Sequence, residues 1–142
     1  MVFPRYKIWL LVGILLGFLG VALGAFGSHG LEARFKPDGF SADELKKIAN
    51  WETAVRYQMY HALALLAVGT LAIRRCGITI HAAGTAMTFG TLLFSGCLYG
   101  WVLDGPRFLV HIVPIGGTLM ILGWLLFAAA VWRSTNDDPG HR

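Results

Sequence analysis

The fold class this sequence predicts is an all-α integral membrane four-helix bundle with a short amphipathic helix between its first two spans, and three observations predict it. The hydrophobic share is 56% and the charged share only 14%, against about 25% charged in ordinary soluble proteins, and the mean hydropathy is +0.60. The few charges gather between four apolar runs, 8–27, 54–73, 80–103 and 110–132, each near the ~20 residues that cross about 30 Å of hydrocarbon as a helix. In the first run Gly13, Gly17, Gly20, Gly24 and Gly27 recur at alternating steps of four and three, a period that sets them on one helix face. At 142 residues the chain reads as a single membrane domain, 1–142.

Run 8–27 follows Arg5 and Lys7 and contains Ala22-Leu23-Gly24, a small-residue triplet of the kind found at export cleavage sites. Its length exceeds the apolar core of such a signal, so it reads as a retained anchor. Lipid tails are as apolar as leucine and supply no hydrophobic drive between helices, so a face without side chains serves close approach by another backbone. The polar interfacial segment 28–53 comes next, with Pro37, Asp38 and Gly39 marking a loop. Ser41 and Glu44 have capping-box spacing, in which each side chain satisfies one backbone amide left unpaired at a helix start. From there Leu45, Ile48, Ala49, Glu52, Val55 and Arg56 lead toward run 54–73 as an amphipathic helix that bends or runs straight into the membrane. Trp51 and Tyr57 fall at headgroup level, where amphipathic rings are stable.

The other connections are tight. Arg74-Arg75-Cys76-Gly77 closes the second run and Asp104-Gly105-Pro106-Arg107 turns the third into the fourth, so neighbouring spans are antiparallel. Gly84, Thr88, Thr91 and Ser95 repeat the four-and-three rhythm on the third run and form a natural partner for the glycine stripe. Pro114, with Gly116 and Gly117 just beyond it, predicts a kink or a re-satisfied break in the fourth. The helix-packing candidates are therefore Gly13, Gly17, Gly20, Gly24, Gly27, Gly84 and Ser95.

A net charge of +4 suits contact with anionic membrane lipid. No basic stripe interleaves with aromatics, which sets nucleic acid aside as a partner. The 12 Lys and Arg divide evenly between the two sides, with Arg5, Lys7, Arg74, Arg75, Arg133 and Arg142 on one and Arg34, Lys36, Lys46, Lys47, Arg56 and Arg107 on the other. Arg5 and Lys7 flank the first span and the Arg74-Arg75 pair occupies a very short loop, where the positive-inside bias acts most strongly, so both termini are assigned to the cytoplasm. Cys76 and Cys97 fall at different depths and read as free thiols. No CxxC, HExxH or clustered His pair appears, so the sequence predicts no metal site and no cofactor. No nucleophile and base stand at an identifiable spacing, so the chain reads as non-enzymatic.

Following the chain across four spans, the ends of the first and third and the starts of the second and fourth share one surface. His29, Trp51, Tyr57, His61, Tyr99, Asp104, Arg107, His111 and Pro114 map to it. His29, Trp51, Tyr57, His61, Tyr99 and Pro114 make up the candidate polar face. His61 is its most embedded ionisable residue, and an intramembrane ionisable group is a functional candidate by default. A phenol-to-imidazole hydrogen bond from Tyr57, or one out to Ser95 or Tyr99, is within reach of it. The favoured reading is a network that ties helices together at about 0.6 kcal/mol per interhelical hydrogen bond; proton or ligand chemistry is the competing one. His81 and His111 read as solvated boundary residues, and Trp9, Trp101, Trp124 and Trp132 as interfacial or lipid-facing packing.

The strings Val21-Ala22-Leu23-Gly24-Ala25-Phe26-Gly27-Ser28-His29-Gly30-Leu31, Trp51-Glu52-Thr53-Ala54-Val55-Arg56-Tyr57 with His61-Ala62-Leu63-Ala64-Leu65-Leu66, Phe94-Ser95-Gly96-Cys97-Leu98-Tyr99, and Val113-Pro114-Ile115-Gly116-Gly117 followed by Gly123-Trp124 occur in that order. Together they resemble the motifs of the family of unknown function number 423, the transmembrane-protein-256-like small membrane proteins, over nearly the whole chain. Ser28 departs from a pattern that often has alanine there and leaves the small face intact. The resemblance implies a multi-pass protein of the bacterial inner membrane, related to a form in animals, and it carries over no reaction and no catalytic residue. Two classes of function follow. A non-enzymatic accessory or packing subunit, in contact with membrane lipid and assembled as a homo-oligomer or within a larger membrane complex, is favoured because 142 residues in four spans leave little interior for a conduction path. The alternative is a small transporter, channel or proton-linked component in which His61, His29 and Tyr99 line a polar pocket.

Overall fold

The computed structural model describes residues 5–31, 33, 41–74 and 77–136. Over them the chain is all-α: α1 (Arg5–Phe26), a π-type turn (Gly27–Leu31), α2 (Ala42–Arg74), α3 (Ile78–Val102) and α4 (Phe108–Asn136). Pro37, Asp38 and Gly39, expected to mark a loop, and Arg75 and Cys76 of the short second connection lie outside the described residues.

α2 begins at the expected capping box. The Ser41 amide and hydroxyl donate to Glu44 Oε2 at 2.8 and 2.7 Å, and the Glu44 amide donates back to Ser41 Oγ at 3.3 Å. These bonds to the ionised form, the Ser41 amide first, hold the Glu44 carboxyl below its ordinary value of 4.5, with Lys47 adding to the effect. The helix then runs 33 residues without interruption, so the amphipathic stretch and the second apolar run are one continuous helix about 50 Å long. At the far end of α3 the chain closes in a Schellman motif: Gly105 N–H bonds Gly100 C=O at 2.9 Å and Asp104 N–H bonds Trp101 C=O at 3.1 Å. Asp104 rather than a glycine takes the left-handed position, with φ 67°, which the short polar side chain of Asp tolerates. Its carboxylate pairs with Lys47, tying the start of α2 to the α3–α4 turn.

Packing follows chain order, α1 on α2, α2 on α3 and α3 on α4. Tyr6–Leu31, Ile78–Val102 and Phe108–Arg133 are long and apolar enough to cross a membrane. α2 is longer than any of them, but Gln58 and His61 interrupt its apolar half. Only 17% of the most apolar stretch of α1, and likewise of α4, is buried, against 39% for α3. The outer helices therefore turn Leu15, Phe18 and Val21 on one side and Ile121 and Leu125 on the other toward the surroundings.

Three expectations about packing are corrected: the partner of the glycine stripe, the place of Trp9 and the place of His81. The glycine stripe does not meet the small seam of α3, because α2 stands between them, and Thr88 and Thr91 turn their hydroxyls onto their own helix at Gly84 C=O and Met87 C=O, both at 2.8 Å. α1 reaches α3 chiefly at one end, where Trp9 lies over Gly84, so close that an added Cβ would stand 2.6 Å from the ring. Trp9 is thus buried core, and its Nε1–H donates to His81 Nδ1 at 2.9 Å, which makes His81 an interhelical tie rather than a solvated boundary residue. α4 continues as helix through the exposed Pro114, and Thr118 Oγ1 donates to the Pro114 carbonyl at 2.9 Å.

Candidate functional site

The inward face of α2 carries Trp51, Ala54, Gln58, His61, Leu65, Val68 and Ala72, all buried and all separated by alternating steps of three and four. That is the seam of a coiled coil, a single stripe facing neighbouring helices throughout. Two of its positions are polar. Gln58 and His61 are each only 4% exposed, so each requires a partner inside the bundle.

The partners are specific. Gln58 Nε2 donates to Leu16 C=O of α1 at 2.8 Å, and Gln58 Oε1 accepts from the Tyr99 phenol of α3 at 3.0 Å, so one amide joins three helices. One end of the seam is closed by Trp51, whose Nε1–H bonds Leu23 C=O at 2.8 Å and whose ring packs on Tyr99 and Phe26 at centroid distances of 4.6 and 5.4 Å. Ser95 Oγ donates to Ala54 C=O at 2.8 Å, linking α3 to α2. His61 Nδ1 lies 2.8 Å from Tyr57 C=O, and its Nε2 lies 3.3 Å from Trp124 Nε1 of α4. A carbonyl accepts only and an indole N–H donates only, so this pair of partners selects the neutral Nδ1–H tautomer with Nε2 as acceptor.

The seam brings together Trp51, His61, Tyr99 and Ser95 and leaves out the other expected members. His29 is exposed on the π-type turn, Pro114 is exposed on α4, and Tyr57 is half-exposed with its ring against Phe94 at 4.9 Å. The expected phenol-to-imidazole bond does not form, because on a helix the backbone carbonyl four residues back lies nearer His61 than the outward-pointing ring of Tyr57 does. Trp124, expected as lipid-facing packing, reaches back to His61. Gln58 was not among the candidates, although the heptad step from Trp51 through Ala54 marks position 58 as interior.

Each stripe glycine instead faces α2. An added Cβ would lie 2.9 Å from Ala62 C=O at Gly13, 2.5 Å from Met59 Sδ at Gly20 and 2.6 Å from the Trp51 ring at Gly27, while Gly17 and Gly24 leave 3.9 and 3.5 Å. Among the described residues every buried side-chain nitrogen and oxygen has a hydrogen-bond partner. No group of three or more His, Cys, Asp and Glu among them is arranged to hold a metal ion. Cys97 is a free, buried thiol.

Apolar outer faces around a small, internally hydrogen-bonded polar seam define a small helical membrane protein. The chain belongs to the DUF423 family, "Protein of unknown function (DUF423)", whose profile matches residues 23–117. It is similar to a UPF0382 membrane protein of Staphylococcus epidermidis, 40% identical over 127 residues that make up 89% of this chain and 97% of the relative. The UPF0382 membrane protein YwdK of Bacillus subtilis is 39% identical over 125 residues, 87% and 95% of the two chains. A UPF0382 membrane protein of Haemophilus influenzae is 37% identical over 118 residues, 83% and 88% of the two. No solved structure matches the chain.

Proposed function

We propose that the chain is a non-enzymatic accessory or packing subunit of the bacterial inner membrane, crossing it four times with both termini in the cytoplasm. It acts as a homo-oligomer or within a larger membrane complex. The fourth crossing is the apolar half of α2, whose Gln58 and His61 turn inward. The observation that carries the reading is the state of the polar seam. Gln58, Ser95 and Trp51 bond main-chain carbonyls of another helix, and His61 divides its ring nitrogens between Tyr57 C=O of its own helix and Trp124 of α4. Such groups serve as ties between helices. A transport pathway needs polar groups turned toward a passage instead. The bare apolar flanks of α1 and α4 supply the surface for lipid or a protein neighbour.

Purification in mild detergent, followed by light scattering and intact-complex mass spectrometry, tests this directly. The expected species is a homo-oligomer or a stoichiometric complex; a clean monomer overturns the reading. A Ser28→Cys variant should react with an impermeant thiol reagent applied from outside the cell, and protection there with reaction from inside reverses the assigned orientation.

A further inference from the structure

We infer that the cleft where α1 gives way to the π-type turn holds the head of a zwitterionic phospholipid of the phosphoethanolamine type. The cleft is lined by Gly24, Gly27, Ser28 and Leu31 on one side and by Trp51, Glu52, Val55 and Arg56 on the other, and it encloses about 270 Å³. That is just below the roughly 300 Å³ where small-molecule sites begin, room for a headgroup and not for a whole lipid. The site exists because of local backbone choices. The bare glycines keep the α1 wall back, and the wider π turn over Gly27–Leu31 shifts the register there. Trp51 is pinned as the back wall by its bond to Leu23 C=O.

Charge chooses the occupant. Glu52 and Arg56 stand one helical turn apart on α2, both exposed at the mouth, and neither has an ion-pair or hydrogen-bond partner among the described residues. Two opposite charges at that spacing commonly pair with each other; here they stay apart and flank the opening. A headgroup with an ammonium and a phosphate a few bonds apart matches such a pair, the ammonium on the Glu52 carboxylate and the phosphate on the Arg56 guanidinium, which is suited to bidentate phosphate contact. The depth is appropriate as well, because the apolar stretch Tyr6–Leu31 ends at this level. The acyl chains then run down the exposed flank of α1, over Val21 and Phe18. This assignment stands independently of whether the chain is an accessory subunit.

The test is native mass spectrometry of the full chain from mixed micelles holding equal phosphatidylethanolamine and phosphatidylglycerol. The wild type should retain the zwitterionic lipid about tenfold over the anionic one, the worth of one charge-assisted hydrogen bond. Glu52→Gln should erase that preference while keeping total lipid retention, and Arg56→Gln should lower retention of both lipids about tenfold, with unchanged melting in each because both side chains are exposed. Soluble glycerophosphoethanolamine should displace the lipid and inorganic phosphate should not. Equal retention of the two lipids by the wild type, wild-type behaviour of both variants, or displacement by phosphate alone would each overturn the proposal.

Discussion

The α1–α2 pair and the α3–α4 pair both rely on glycine, for different purposes. Between α3 and α4 the glycines bring main chain against main chain: an added Cβ at Gly116 would stand 2.5 Å from the Phe94 amide nitrogen and 2.9 Å from Gly90 C=O, and one at Gly90 would stand 2.9 Å from Gly116 C=O. The two glycines thus aim hydrogens at each other's carbonyls, the arrangement of Cα–H···O contacts worth about 0.5–1 kcal/mol each. Between α1 and α2 the stripe receives mostly side chains, Met59 at Gly20 and Trp51 at Gly27, and the pair is further tied by Gln58 and Trp51 bonding to α1 carbonyls. In a solvent that gives helices no hydrophobic reason to associate, one junction depends chiefly on close backbone fit, with an exposed side-chain bond from Arg133 to Thr79 Oγ1 at 3.1 Å, and the other on shape plus buried hydrogen bonds to main-chain carbonyls.

The steric junction should be the less forgiving. Gly116→Ala or Gly90→Ala meets backbone that has nowhere to move, so each should cost about 3 kcal/mol, the upper end of overpacking costs, read as a lowered melting temperature in detergent. A smaller loss from Gly116→Ala than from Gly20→Ala would break the comparison, because it would mean the α3–α4 backbones separate more easily than the Met59 side chain swings away.

The tied junction should respond to loss of its polar node. Gln58→Leu keeps the volume roughly constant while removing the bond to Leu16 C=O and leaving the Tyr99 hydroxyl without its acceptor, so a loss of about 1–2 kcal/mol is expected. Tyr99→Phe alone should cost less, and in the Gln58→Leu background it should cost nothing further. Full additivity of the two would show that they do not share a bond.

How much of this was legible follows the same division. The regular glycine stripe, the capping box at Ser41 and Glu44, and the apolar runs all repeat locally, and local repeats can be read from a sequence alone. The tightest junction could not be read, because Gly90 and Gly116 lie on different helices and acquire their meaning only when paired. The glycine stripe was assigned to α3 for a related reason: small faces are mutually compatible, and composition does not say which two meet. His61 was visible as a buried titratable residue, but its partner Trp124 lies 63 positions away. Gln58 is legible in principle, since the three-and-four rhythm of α2 runs through it.

Within the stripe the same logic predicts a graded series. Gly27→Ala pushes on a Trp51 ring fixed by its bond to Leu23 C=O and should cost about 1–2 kcal/mol. Gly20→Ala displaces only the flexible end of Met59 and should cost less than about 1 kcal/mol. Gly24→Ala leaves 3.5 Å to Val55 and should lie within about 0.5 kcal/mol of the wild type. Equal losses at all three positions would mean that the stripe works as a uniform contact and not as a set of individual sockets.

The smallest effect concerns pH, and it separates the start of α2 from the α3–α4 junction by chemistry. Glu44 is held below its ordinary carboxyl value of 4.5 by the Ser41 amide and hydroxyl, so its contribution to the first turn of α2 is complete above about pH 4.5 and is lost as the pH falls through its lowered folded-state value. The α3–α4 contacts between glycine backbones involve no titrating group. On acidification, amide exchange at Glu44 and Leu45 should therefore accelerate while exchange around Gly90 and Gly116 stays constant, and Glu44→Gln should remove most of the acid sensitivity at the start of α2. Parallel acceleration at both places would mean that acid loosens the whole bundle, and that the cap is not the group responsible.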